Sequence, residues 1–140
     1  MAALSVREAC GACFEKHKGD CGGFGRAVAD KLKVSLQGLA NEIAETLCAD
    51  QGWRPLPDGV VAALSAKDGK LVIGGLKRSR QTHPDLHGHV GAVVEGPLAR
   101  NAYPSAYWEK LGEVGANDKT INYAWIAEDR DRVSYAERHI

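Results

Sequence analysis

At 140 residues the chain suits one compact domain, 1–140, built around a single core. Its 18 Lys and Arg balance its 18 Asp and Glu, so a net charge of zero gives no electrostatic case for nucleic acid or an anionic membrane surface as partner. The longest apolar run is far too short to insert in a bilayer, and the opening MAALSVREACGACFEKHKGD lacks a basic segment followed by a long apolar one, so synthesis in the cytoplasm without a signal peptide is expected.

In chain order, the first clear periodicity follows Cys21: Phe24, Ala27, Val28 and Leu32 recur at helical spacing, and Asp20 stands where an N-cap would. A second helix is predicted for SLQGLANEIAETLCAD, capped by Ser35, with Leu36, Leu39, Ala40, Ile43, Ala44, Leu47 and Cys48 forming its apolar stripe. Cys48 on that stripe reads as a buried core thiol. Asp58 can cap a short third helix, GVVAALSAK. Two glycine-bounded, β-branched runs then read as strands, KLVIGGL (Lys70 to Leu76) and HVGAVVEG (His89 to Gly96), joined by the polar loop KRSRQTHPDLHG. SAYWEKLG is predicted as a helical turn, TINYAWIA as a strand and EDRDR as a solvated, self-paired face. Helices first and strands after give an α+β domain, helices packed on a small antiparallel sheet.

The chemistry concentrates in GDCGGFGRAVADKL. A nucleophilic cysteine works as the thiolate, and the unpaired N–H groups and positive end of a helix N-terminus favour that form. Cys21 is placed there, with Gly22 and Gly23 leaving space over the sulfur, and the same N–H groups could hold an oxyanion. The histidine such a thiol needs is best supplied by His89, anchored at the start of a strand. For a third group that orients the imidazole, Asn101, Glu95, Asp118 and Asn122 are all open, with Asn101 preferred. Glu95, six residues along an extended strand, stands roughly 20 Å from His89.

These residues carry a resemblance. Asp20-Cys21-Gly22-Gly23-Phe24 at a helix start resembles the D-C-S-G-[FL] signature of NlpC/P60 and CHAP-type cysteine peptidases, and Gly88 to Val94, GHVGAVV, is similar to their G-H-V-[AG]-[IV] strand. The resemblance implies a papain-like fold and cleavage of peptidoglycan amide bonds, with Cys21 as nucleophile and His89 as general base. The family's third residue commonly follows the histidine by about a dozen positions, which falls near Asn101. Asp20, Gly22 and Gly23 would border the oxyanion site, and no cofactor is implied. Gly22 departs from the usual Ser. A bare domain of this kind is similar to small amidase effectors of type VI secretion, which act in a target bacterium's periplasm and are blocked by an immunity protein. Among the bonds such effectors cut, the diaminopimelate–D-Ala cross-link is the expected one.

Other readings stand beside this one. Cys10, Cys13, His17 and Cys21 form C-x2-C-x3-H-x3-C, a donor set for a structural zinc in a non-enzymatic binding domain, although the spacing is compressed. Cys10 and Cys13 could instead pair or stay reduced. His83 and His87 read as loop residues, Gly74 and Gly75 as a strand bulge or points of close packing, and Tyr103, Tyr107, Trp108, Tyr123 and Trp125 as core or rim, one or two of them walling the substrate groove if the hydrolase reading holds. A transglutaminase-like or acyltransferase enzyme is a further chemical alternative.

Overall fold

The computed structural model describes residues 5–17, 21–38, 40–48, 52–77, 81, 89–110, 113–125 and 128–139, with the backbone alone at 21, 40, 41, 48, 110 and 113–118. The architecture is α+β, as the order of elements predicts. Helix α1 (Val6–Phe14) opens on a capping box in which Ser5 and Glu8 bond each other's backbone N–H. Helices α2 (Cys21–Lys31), α3 (Ala40–Cys48) and α4 (Gly59–Lys67) follow. Asp58 caps α4, its Oδ1 accepting from the Val61 N–H at 2.9 Å.

Helix α3 begins later than the apolar stripe suggests. Gly38 takes φ +96°, a left-handed backbone that cannot belong to a helix. Ser35 is therefore no cap. Leu36 is still buried, but from the connection before the helix. The Cys48 thiol lies outside the described residues.

The strands are β1 (Arg54–Leu56), β2 (Leu71–Leu76), β3 (His89–Val93), β4 (Ser105–Lys110), β5 (Glu113–Thr120) and β6 (Ser134–Arg138). They form one six-stranded antiparallel sheet in the order β1-β6-β2-β3-β4-β5. Two expectations are corrected here. SAYWEK is a strand, β4, which turns Tyr107 towards the α1 face and Trp108 towards the other. The described part of TINYAWIA, Thr120 to Trp125, is not the expected strand: β5 ends at Thr120, and Ile121–Ala124 form a 3-10 helix. Buried Ile121, Ala124 and Trp125 fall at i, i+3 and i+4, while Tyr123 is 68% exposed, a helical rather than an alternating pattern.

One core cluster lies between the sheet and α1, α2 and α3, and includes Phe24, Val28, Ile43, Leu47, Ile73, Val90 and Ala92. The opposite face carries a second cluster, with Val72, Leu76, Val93, Trp108, Ile121, Trp125 and Tyr135. Each fully buried Leu, Ile or Phe contributes about 1.5–3 kcal/mol by leaving water. The EDRDR segment is less solvated than its composition suggests: Asp129 is buried, Arg132 reaches it at 3.9 Å, and Asp131 accepts a 2.6 Å bond from the Tyr103 hydroxyl.

Gly74 and Gly75, side by side in β2, do mark close packing. A Cβ on Gly74 would meet Tyr135 Cε1 at 2.9 Å and Ile121 Cδ1 at 3.1 Å, whereas one on Gly11, inside α1, meets nothing within 4 Å. Gly74→Ala is expected to lower stability by about 1–3 kcal/mol, and Gly11→Ala to raise it by about 0.5–1 kcal/mol. Urea denaturation of the two variants beside the wild type checks both signs.

Candidate active site

Cys21 is the first residue of α2, the position the sequence assigns it. Its side chain, and the whole of the expected cap Asp20, lie outside the described residues. The first turn of any helix leaves backbone N–H groups without intrahelical partners, which suits an oxyanion. Gly22 and Gly23 follow Cys21 in the first turn, and both are buried. Helix α2 is fixed from two sides. Phe14 of α1 meets Phe24 and Tyr107 edge-on, with ring centroids 6.3 and 6.2 Å apart, and so ties α2 to β4. Gly25 approaches β3 so closely that a Cβ there would lie 3.5 Å from Val90 Cγ2.

His89 begins β3, its backbone registered against Leu76 of β2. One turn of α2 separates Cys21 from Gly25, and His89 directly precedes Val90, so each residue stands near the contact between its helix or strand and the other. Val90 belongs to the helical face, and strand alternation gives His89 the other. There its imidazole, 6% exposed, lies against the Trp125 indole with centroids 5.0 Å apart and planes inclined by 60°.

The candidate third residues separate clearly. Asn101 is exposed, with φ +54°, in a turn that follows the far end of β3 from His89. The structure does not bring the two together. Glu95 is exposed at that same far end, where its carbonyl accepts from Arg7 Nη2. The Asp118 side chain lies outside the described residues. Asn122 sits in the 3-10 helix that leads into Trp125, and its Oδ1 is buried with no hydrogen-bond partner among the described residues.

The zinc donor set fares differently. Cys10 and Cys13 are both free and buried in the core side of α1, while His17 lies in a separate 3-10 turn, Glu15–His17. Burial above all, then the neighbouring Cys13, pushes the Cys10 thiol up to about 12. Burial raises Cys13 as well. Zinc is bound by thiolate, the form this environment disfavours. Among the described residues no group of three His, Cys, Asp or Glu could hold a metal ion. His83 and His87 lie outside the described residues. No described helix is long and apolar enough to cross a membrane.

One side chain on the strand beside β3 was not singled out by sequence: Glu109 of β4, a buried carboxylate 1% exposed. Trp125 is among the aromatics read as core, rim or groove wall, and its i, i+3, i+4 relation to Ile121 and Ala124 is the signal for its burial.

No protein-family model matches the chain. Over 123 residues it is 37% identical to the peptidoglycan amidase Tse1 of Pseudomonas aeruginosa, an overlap covering 85% of this chain and 75% of that protein. The chain belongs to the family of this amidase.

The buried thiol sets an alkaline limit. Cys10 holds its proton more tightly folded than unfolded, so its contribution is intact below the ordinary thiol value of 9.0 and is lost as the pH rises towards about 12. Burial raises the Tyr135 phenol too, which adds to the loss at the upper end. The urea midpoint is expected to fall steadily above about pH 9 and, in Cys10→Ala, to fall less steeply. Denaturation curves across that range test it.

Proposed function

We propose that the chain is a peptidoglycan amidase working as a cysteine hydrolase, a single catalytic domain, 1–140, of papain-like NlpC/P60 type. The similarity to a peptidoglycan amidase carries the reading. It is supported by the placement of Cys21 at the start of α2 and His89 at the start of β3, two elements in contact.

In this mechanism the Cys21 Sγ proton passes to His89, and the thiolate attacks the carbonyl carbon of a stem-peptide amide. Backbone N–H groups of the first turn of α2, around Gly22 and Gly23, hold the resulting oxyanion. His89 then gives its proton to the leaving amine, and the C–N bond breaks. Water, deprotonated by His89, hydrolyses the thioester, releasing the new carboxylate and restoring the thiol. Asn101 takes no part, since its turn follows the other end of β3. Asn122, on the segment that carries the neighbour of His89, is the better third candidate.

The resemblance to type VI effectors extends the reading to the setting. The protein would act in the periplasm of a target bacterium and be held in check by an immunity protein where it is made. Product masses name the bond. Cleavage of the diaminopimelate–D-Ala cross-link, the bond expected from sequence, turns dimeric muropeptides into monomers, whereas cleavage after D-Glu truncates the stem.

Digestion of purified Gram-negative peptidoglycan is expected to release new muropeptides. Cys21→Ala and His89→Ala should each slow that release by about 10³-fold or more while melting like the wild type. Undiminished release by folded Cys21→Ala would sink the cysteine mechanism, and an inert wild type would sink the substrate.

A further inference from the structure

We infer that Trp125 is a positioning residue for His89: its indole sets the plane in which the imidazole stands. The inference rests on the reading of His89 as the general base.

The backbone alone does not aim this histidine. Pairing with Leu76 fixes where His89 begins the strand, and alternation turns it from the face on which α2 packs. What its ring nitrogens can reach is then decided by its two side-chain torsions. An imidazole rotates readily about its second torsion, whose minimum is broad. The indole stands in the path of that rotation, 5.0 Å from centroid to centroid and inclined at 60°.

The wall is itself well held. Trp125 is 8% exposed and follows directly on the 3-10 helix Ile121–Ala124. That helix is pinned at its first residue, where the Ile121 N–H donates to the Pro104 carbonyl at 2.7 Å. Ile121 reaches over the sheet to within 3.4 Å of where a Cβ on Gly91 would stand, two residues from His89 on the same strand. The indole Nε1 is buried with no hydrogen-bond partner among the described residues, and the contact shown with His89 is through the aromatic ring.

A wall of this kind acts on the chemical step more than on substrate binding, because misorientation of a catalytic group by about 1 Å can cost roughly a hundredfold in rate. The test compares Trp125→Phe, which keeps an aromatic face, with Trp125→Leu, which keeps bulk without one, and with His89→Ala, on a soluble muropeptide. Trp125→Phe is expected to retain kcat within about threefold, and a folded Trp125→Leu to lose about 10- to 100-fold in kcat at nearly constant KM. In the wild type, the His89 ring protons should be displaced by the indole ring current, a shift retained in part in Trp125→Phe. Wild-type kcat in folded Trp125→Leu, or equal losses in the two variants, overturns the inference. Should Trp125→Leu not fold, an unshifted His89 ring signal in the wild type overturns it and a shifted one upholds it. Full activity in His89→Ala would instead remove the reading beneath it.

Discussion

The pairing of β2 with β3 is the constraint on which the remaining structure depends. All of β2 is buried, and its neighbours on the two sides are β3 and the late strand β6. Both faces of this pair must be covered, by α2 and α3 on one side and, on the other, by the segment around Ile121 together with the Tyr135 ring leaning across from β6. Two adjacent glycines make the double covering geometrically possible. Gly75 lets α3 approach through Ala44 and Leu47, and Gly74 admits Tyr135 and Ile121. Side chains at these positions would hold the two layers away from the strand that registers His89.

That constraint links the core to the chemistry. The helix bearing Cys21 is seated by the approach of Gly25 to Val90, and the histidine precedes Val90 by one residue. One packing contact thus joins the helix that bears Cys21 to the strand that His89 begins. The opposite layer brings the Trp125 indole against the imidazole.

The sequence made some of this legible and hid the rest for physical reasons. Helices α2 and α4 and strands β2 and β3 are readable because periodicity and end signals agree there. The start of α3 was obscured because Leu36 is buried whether or not it is helical; only the backbone of Gly38 decides. SAYWEK and TINYAWIA exchanged their expected states. A six-residue stretch offers too few turns to distinguish the two periods, and the partner that makes β4 a strand is β3, distant in sequence. Strands β1, β5 and β6 are short or polar and gain their identity from pairing. At the site, the positions of Cys21 and His89 on their elements were legible from local motifs. The separation of Asn101 from His89 was not, because a count of residues after the histidine does not reveal that the chain turns at the other end of the strand.

The place of β6 has a consequence for how the molecule comes into being. This strand, Ser134–Arg138, lies inside the sheet between β1 and β2, and its Glu137 takes a 2.9 Å ion pair from Lys70. The elements bearing Cys21 and His89 are synthesised long before it. Until residue 138 has left the ribosome, β2 lacks one of its two neighbours, and Tyr135 is absent from the layer that packs over Gly74. Closure of such a distant pairing comes late in folding. The nascent chain therefore carries Cys21 and His89 on elements not yet assembled, and synthesis of β6 completes the scaffold that holds them.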